Sequence, residues 1–253
     1  MPDFEADGLR IHYVTSGDPE GRPVLLVHGY CSDYELNWLG SRWQEALTEN
    51  GFFVVGLDLR GHGHSEKPHL AAAYGLRDMA GDALLLLDHL GLEDVDLLGY
   101  SMGARIGLLL CHDHPQRFGR AVLGGIGLAQ GTSANPKKAE LIARRMRGDA
   151  TVQDPEAEMF YNFAKARPIN DLEALACCIL GDHAALRPEQ VGSITTPIDV
   201  VAGDLDVIAR DAPELAARLA DGRYDPIPGR THNNAVPARE FKAAAIPFLR
   251  RER

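Results

Sequence analysis

The segment Gly99-Tyr100-Ser101-Met102-Gly103 decides how this chain is read. It follows an apolar, strand-like run, Val95 to Gly99, and opens a helix-like one, Met102 to His112. A serine at such a strand-to-helix turn projects its hydroxyl out of the sheet from a strained backbone. Glycine is needed two residues before and two after, because side chains there would collide with the adjoining strand and helix. The helix start beneath the serine supplies N–H groups and a positive dipole end, which favour negative charge. In a chain with 26 glycines the five-residue pattern alone says little. Its placement between a strand and a helix is what gives it meaning.

Outward from this turn, two periods alternate. Phe4 to Val14 reads as a hairpin around Asp7-Gly8, and Val24 to Val27 is a short apolar run ending at His28-Gly29. Trp38 to Glu49 has helical spacing, Phe52 to Leu59 is a strand, and Leu76 to Leu90 is a helix stopped by Gly91. Ala121 to Ile126 is the next strand. Apolar strands alternating with helices imply a parallel sheet covered on both faces. From Leu128 to about Gly192 only helix-like segments occur, punctuated by Pro136, Pro155, Pro168 and Pro188. Strand Ile198 to Ala202, helix Pro213 to Leu219, strand Arg223 to Ile227 and helix Pro237 to Arg250 then resume the alternation. The expectation is an α/β core formed by 1–127 and 193–253. Its sheet is doubly wound and mostly parallel with N-terminal hairpin strands, and 128–192 is a small helical cap insertion.

Composition bounds the function. The chain has 253 residues, enough for one large domain, and a formal net charge of -10. An acidic chain lacks the basic footprint of nucleic-acid binders and of proteins that bind anionic membrane surfaces. No apolar run is long enough to cross a bilayer. Met1 to Arg10 is polar and carries three acids, unlike a secretory signal, so a cytoplasmic location is expected. Cys31, Cys111, Cys177 and Cys178 match no zinc or redox spacing and read as buried free thiols. The expected partner is a small-molecule substrate. No motif speaks to an oligomeric state.

A serine so placed needs a base, an acid and an oxyanion site. The N–H of Met102, directly after Ser101, is one candidate oxyanion donor. The N–H of Tyr30, in the loop after Val27-His28-Gly29, is the other. The base is expected at His232, after strand Arg223 to Ile227 and the turn Pro228-Gly229; no other histidine follows the acid region. His28 competes for that role but precedes the serine, whereas the order for a strand–turn–helix nucleophile is Ser, acid, His. The acid lies at the end of Ile198 to Ala202, where Asp204 and Asp206 compete. The aspartate not used is expected to cap the turn before Val207. Three such groups form an acyl-transfer unit that calls for no metal and no organic cofactor.

These residues resemble the α/β-hydrolase superfamily, in particular its esterase, lactonase and C–C-bond hydrolase members, over nearly the whole chain. The resemblance rests on His28-Gly29, on Asp58-Leu59-Arg60-Gly61-His62-Gly63-His64-Ser65, on the turn at Ser101, on Gly203-x-x-Asp206 and on His232. It implies that Asp206, the last residue of a G-x-x-D turn, is the acid. It also implies that the D-x-R-G-x-G-x-S loop is structural, so His62 and His64 are not catalytic. Thr231 stands where relatives usually carry glycine before the histidine. Haloalkane dehalogenases and epoxide hydrolases are similar but use aspartate at the turn, so Ser101 favours an ester-type or ketone-type carbonyl.

The expected function is therefore carboxylic-ester hydrolysis. C–C-bond cleavage, lactone hydrolysis or cofactor-free perhydrolysis on the same site are alternatives, and a non-catalytic ligand-binding receptor is a more remote one. Met159, Phe160 and Phe163 in the insertion are candidates for a substrate pocket. Lys137, Lys138, Arg144, Arg145 and Arg147 read either as a receiver for an acidic acyl group or as a solvated helix face.

Overall fold

A computed structural model describes residues 2–132, 135–183 and 186–251. Its eight strands form one sheet in the order β1-β2-β4-β3-β5-β6-β7-β8. The first two, β1 (Asp3–Ala6) and β2 (Leu9–Ser16), form the antiparallel hairpin that Asp7-Gly8 predicts. β2 also pairs antiparallel with β4 (Phe52–Leu57). From β4 onward the sheet is parallel, through β3 (Arg22–Val27), β5 (Val95–Tyr100), β6 (Phe118–Gly124), β7 (Ile198–Gly203) and β8 (Gly222–Ile227). The expected fold class is the observed one.

Burial explains the strand composition. Every residue of β5 and of β7 is buried, as in a parallel sheet covered on both sides. Leu25, Val27, Leu97, Leu123 and Val200 enter one core with α2 (Leu76–His89), α3 (Met102–Asp113) and α9 (Ala212–Arg218). Their neighbours Val24, Leu26, Leu98, Val122 and Val201 enter the other, with α1 (Trp43–Thr48) and α10 (Arg239–Leu249). This is the period of two expected of strands.

One helix differs from expectation. The stretch expected to be continuous from Trp38 to Glu49 is split into a π-turn at Glu35–Leu39 and α1. Arg42 between them adopts a left-handed φ of 62°. Asp33 Oδ1 accepts from Leu36 N at 2.7 Å and starts the first turn, while Ser41 Oγ donates back to Asn37 O at 2.5 Å and closes it. Trp38 and Trp43 still meet edge to face at 6.3 Å, so the apolar spacing is satisfied by two elements.

Between the paired strands β6 and β7 the described chain is helical: α4 (Leu128–Thr132), α5 (Pro136–Met146), α6 (Pro155–Lys165), α7 (Leu172–Ile179) and α8 (Pro188–Gly192). α5, α6 and α7 pack together, whereas α4 and α8 lie against α3 and α9. The expected insertion 128–192 includes positions 133–134 and 184–185, which lie outside the described residues. Among the described residues no helix is long and apolar enough to cross a membrane.

The sheet carries one acid in an adverse setting. Asp199 on β7 is fully buried beside the Asp225 carboxylate, and Arg223 Nε is 3.9 Å away. Burial, reinforced by the Asp225 carboxylate, raises its pKa from an ordinary 3.8 to about 7. The folded chain therefore holds this proton more tightly than the unfolded chain. Between these two pH values the unfolded state ionises while the folded state does not, so stability falls as pH rises, and the loss is complete above about 7. Asp199→Asn cannot ionise. Its melting temperature relative to the parent should rise by at least about 5 °C between pH 5 and pH 8.5. Thermal melts at the two pH values check this; a difference that does not change with pH would show that Asp199 keeps no proton.

Candidate active site

The strand order places the site. Chain direction across the sheet reverses between β3 and β5, and open α/β sheets hold ligands at the carboxyl ends of the strands flanking such a reversal. β3 runs on into His28-Gly29-Tyr30, and β5 runs on into Ser101. Val27 and Gly99 are direct partners, so the two loops start side by side.

Ser101 has φ 54° and ψ -112°, a backbone state that costs a non-glycine residue about 1–3 kcal/mol. The surroundings hold it there. Ser101 N donates to Gly124 O at 2.8 Å, and Arg105 N donates to Ser101 O at 3.0 Å as α3 begins. A Cβ on Gly99 would meet Gly103 O at 2.5 Å, and one on Gly103 would overlap the carbonyl of Val27. The glycine spacing thus reflects the packing of β5, α3 and β3 against one another.

His232 faces this hydroxyl. Its Nε2 lies 3.0 Å from Ser101 Oγ, and its Nδ1 lies 2.8 Å from Asp206 Oδ2. Asp206 is 3% exposed, and its other oxygen accepts from Ile208 N at 2.9 Å and Ala209 N at 3.1 Å. The turn-capping role expected of the unused aspartate therefore falls to Asp206 itself. Asp204 is exposed, and its Oδ1 accepts from Gly229 N at 2.7 Å. Gly203 is needed for close approach, because a Cβ there would overlap the Arg230 carbonyl of the histidine loop. Leu205 N donates to that same carbonyl at 3.0 Å. Thr231, at the position where relatives usually carry glycine, donates its N–H to Asn234 Oδ1 at 2.7 Å. The Tyr100 hydroxyl, which the sequence does not single out, donates to His232 O at 2.5 Å.

The other histidines that the sequence singles out, His28, His62 and His64, stand apart from this pair. His28 is fully buried; Leu59 N donates to its Nε2 at 3.0 Å, so Nδ1 carries the proton and donates to Gly29 O at 2.8 Å. Burial lowers its pKa, and both nitrogens are committed to backbone. His62 is pushed down to about 3 by burial and by neighbouring His28, and its Nδ1 lies 3.0 Å from Arg60 O. His64 gives its backbone N–H to Asp58 Oδ2 at 2.8 Å. Asp58 also accepts from Tyr34 N at 2.7 Å, and Arg60 forks onto buried Asp82 at 2.7 and 2.6 Å. The loop 58–65 is a hydrogen-bonded brace.

Ser101 and His232 open into a cavity of about 320 Å³. Tyr30, Met159, Phe160 and Phe163 line it, as do Leu36, Asn37 and Ser41 of the split helix and Val236 beyond the histidine. Met102 is buried directly after the serine. The sequence missed Leu36 because the expected helix begins only at Trp38, and Ser41 because a continuous helix leaves no bend there to face the site. Asn37 Oδ1 accepts from Gly29 N at 3.3 Å and steadies the loop that carries Tyr30. That loop is also tied to the helical segment. Tyr30 Oη donates to Leu175 O at 2.8 Å, and Asn170 Nδ2 donates to Cys31 O at 3.2 Å. Arg167 grips Asp33 Oδ2 through Nε at 3.1 Å and Nη2 at 2.6 Å. None of these three ties is legible as a motif, since their partners lie more than 130 residues apart.

Residues 22–173 match the family described as alpha/beta hydrolase fold. A haloalkane dehalogenase of Psychrobacter cryohalolentis is 34% identical over 133 residues, which is 52% of this chain and 42% of that protein. The chain thus spans under half the length of that relative. The 3-oxoadipate enol-lactonase 2 of Acinetobacter baylyi is 27% identical over 238 residues, covering 87% of this chain and 81% of that protein. The crystal structure of the enol-lactonase from Burkholderia xenovorans LB400 superposes with a TM-score of 0.82 at 25% identity, covering 98% of this chain and 99% of that one.

Proposed function

This chain belongs to the alpha/beta hydrolase fold family, and on that footing we propose that it is a serine hydrolase of carboxylic esters with Ser101, His232 and Asp206 as its triad. One observation carries the reading: a single imidazole bridges the Ser101 hydroxyl at 3.0 Å and the Asp206 carboxylate at 2.8 Å. Asp206 accepts the Nδ1 proton and leaves the Nε2 lone pair facing Ser101. His232 takes the serine proton as Oγ attacks the carbonyl carbon. The N–H groups of Tyr30 and Met102 receive the oxyanion, and each such donor is worth ~10²–10³ in rate. His232 then protonates the leaving alcohol, and water repeats the cycle on the acyl-enzyme. Every bond and proton in the cycle is supplied by these side chains, the substrate and water, so no cofactor is called for.

A lactone is an internal ester and would follow the same steps. The 87% coverage by the Acinetobacter baylyi enol-lactonase favours lactone hydrolysis as the second reading. The test is labelling of Ser101 by a fluorophosphonate, followed by turnover of p-nitrophenyl esters of short and long acyl chains. An unlabelled, inactive protein would end the serine-hydrolase reading.

On the same reading, 128–192 is a cap inserted in the core 1–127 and 193–253, and Met159, Phe160 and Phe163 shape the acyl pocket. Replacing each by alanine should shift the ratio of hexanoate to acetate ester kcat/KM by about 10-fold, the range worth one or two methylenes in an apolar pocket. Ratios left unchanged by all three replacements would remove chain-length selection from the cap.

A further inference from the structure

We propose that this site takes neutral substrates and rejects those whose acyl part carries a carboxylate; the inference rests on the serine-hydrolase reading above. Three observations point to it. The first is the lining of the cavity. Leu36, Met159, Phe160, Phe163 and Val236 are apolar, and among the described residues lining it there is no lysine or arginine. At about 320 Å³ the cavity lies at the lower end of ligand pockets, which span ~300–1,000 Å³, and the part of an acyl chain held against its apolar walls is stripped of water. A carboxylate so stripped needs a counter-charge to replace its hydration.

The second observation concerns the basic stretch of the helical segment, the natural source of such a counter-charge. Four of its five cations are committed to acids of the same segment, and the fifth, Lys137, is exposed and does not line the cavity. Lys138 pairs with Asp154 at 2.7 Å, Arg144 with Asp149 at 2.6 Å, Arg145 with Glu158 at 2.6 Å and Arg147 with Glu173 at 2.8 Å. The Arg145 guanidinium also lies 3.7 Å from the centre of the Tyr161 ring. Nearer the site, Arg167 is forked onto buried Asp33. None of these side chains lines the cavity.

The third is the field. The Asp206 carboxylate lies behind His232 with no lysine or arginine among the described lining residues, and the whole chain has a formal net charge of -10. An approaching anion is repelled at long range and meets no lysine or arginine among the described lining residues on arrival.

The decisive comparison is between two p-nitrophenyl esters of adipic acid, one with its far carboxyl free and one with it methylated. They share chain length and leaving group. At pH 7.5 the methylated ester should have a kcat/KM at least ~100-fold higher. A second measurement adds the missing charge. Phe163 is 36% exposed, so Phe163→Arg can hold its guanidinium at the cavity mouth with its stem over apolar surface. This variant should narrow the ratio at least ~10-fold by raising turnover of the free acid. If Ser101 is labelled by fluorophosphonate and the free acid is hydrolysed as fast as its methyl ester, the neutral-substrate inference falls while the serine-hydrolase reading stands. An unaltered ratio in Phe163→Arg also overturns it, since charge would then not be the basis of selection. Absence of both labelling and turnover overturns the serine-hydrolase reading itself, and this inference with it.

Discussion

Ser101→Ala is expected to lower kcat for p-nitrophenyl esters by about 10⁴–10⁶, with no loss of structure. Alanine keeps the Cβ, so the left-handed backbone at φ 54° is no more strained than before. The bonds that hold the turn run through the Ser101 backbone, to Gly124 O and from Arg105 N, and survive the change. What disappears is the oxygen 3.0 Å from His232 Nε2. Residual turnover should reflect binding and the oxyanion donors alone. The check is kcat beside a thermal melt: a variant that keeps most of its activity would remove Ser101 from the reaction, and an unfolded one would leave the melt, not the rate, as the explanation.

Asp206→Asn should cost roughly 10⁴ in kcat. The substitution is nearly isosteric, and an amide oxygen can still accept from Ile208 N and Ala209 N, as Asp206 Oδ1 does at 2.9 and 3.1 Å. The amide NH₂ then faces His232 Nδ1. It donates where a carboxylate accepts, so the ring carries its proton on Nε2 and offers Ser101 no lone pair. Asp204→Asn is the matched control. Its amide oxygen can still take the Gly229 N–H that Asp204 holds at 2.7 Å, and the loss should stay under about 10-fold. Steady-state kinetics of the two variants decide the matter, and a reversed ranking would transfer the orienting role to Asp204.

The parts legible in the sequence are those where backbone meets backbone. Gly99 and Gly103 are forced by contacts with main-chain atoms, and Gly203 is forced by the Arg230 carbonyl, so each leaves a one-letter trace at a fixed spacing. The buried strands are legible for a similar reason, since two covered faces demand an unbroken apolar run such as Val24 to Val27. The split at Arg42 was not legible. Trp38, Trp43, Ala46 and Leu47 read together as one helical stretch, and what breaks it is Ser41 and Asp33 bonding to backbone, contacts that leave no spacing of their own. Tyr100 leaves no trace because a residue between turn positions carries no spacing constraint of its own; its partner, the His232 carbonyl, is 132 residues away. The grip of Arg167 on Asp33 left no trace either. It reads locally as one more charge among helices already rich in charge.

That grip bears on how such a chain can change over generations. The loop from Tyr30 to Asp33 takes hydrogen bonds from Arg167 and Asn170 and gives one to Leu175, so the helical segment is a structural partner of the loop as well as part of the cavity wall. An accessory held on only by apolar contact can be exchanged between lineages as a module, because any surface of similar shape will seat it. This one cannot. A replacement segment lacking an arginine at the place of Arg167 would strand the Asp33 carboxylate, 2% exposed, without its partner. New specificity is thus more readily reached by substituting the cavity-facing side chains of α6, one at a time, than by grafting a foreign cap.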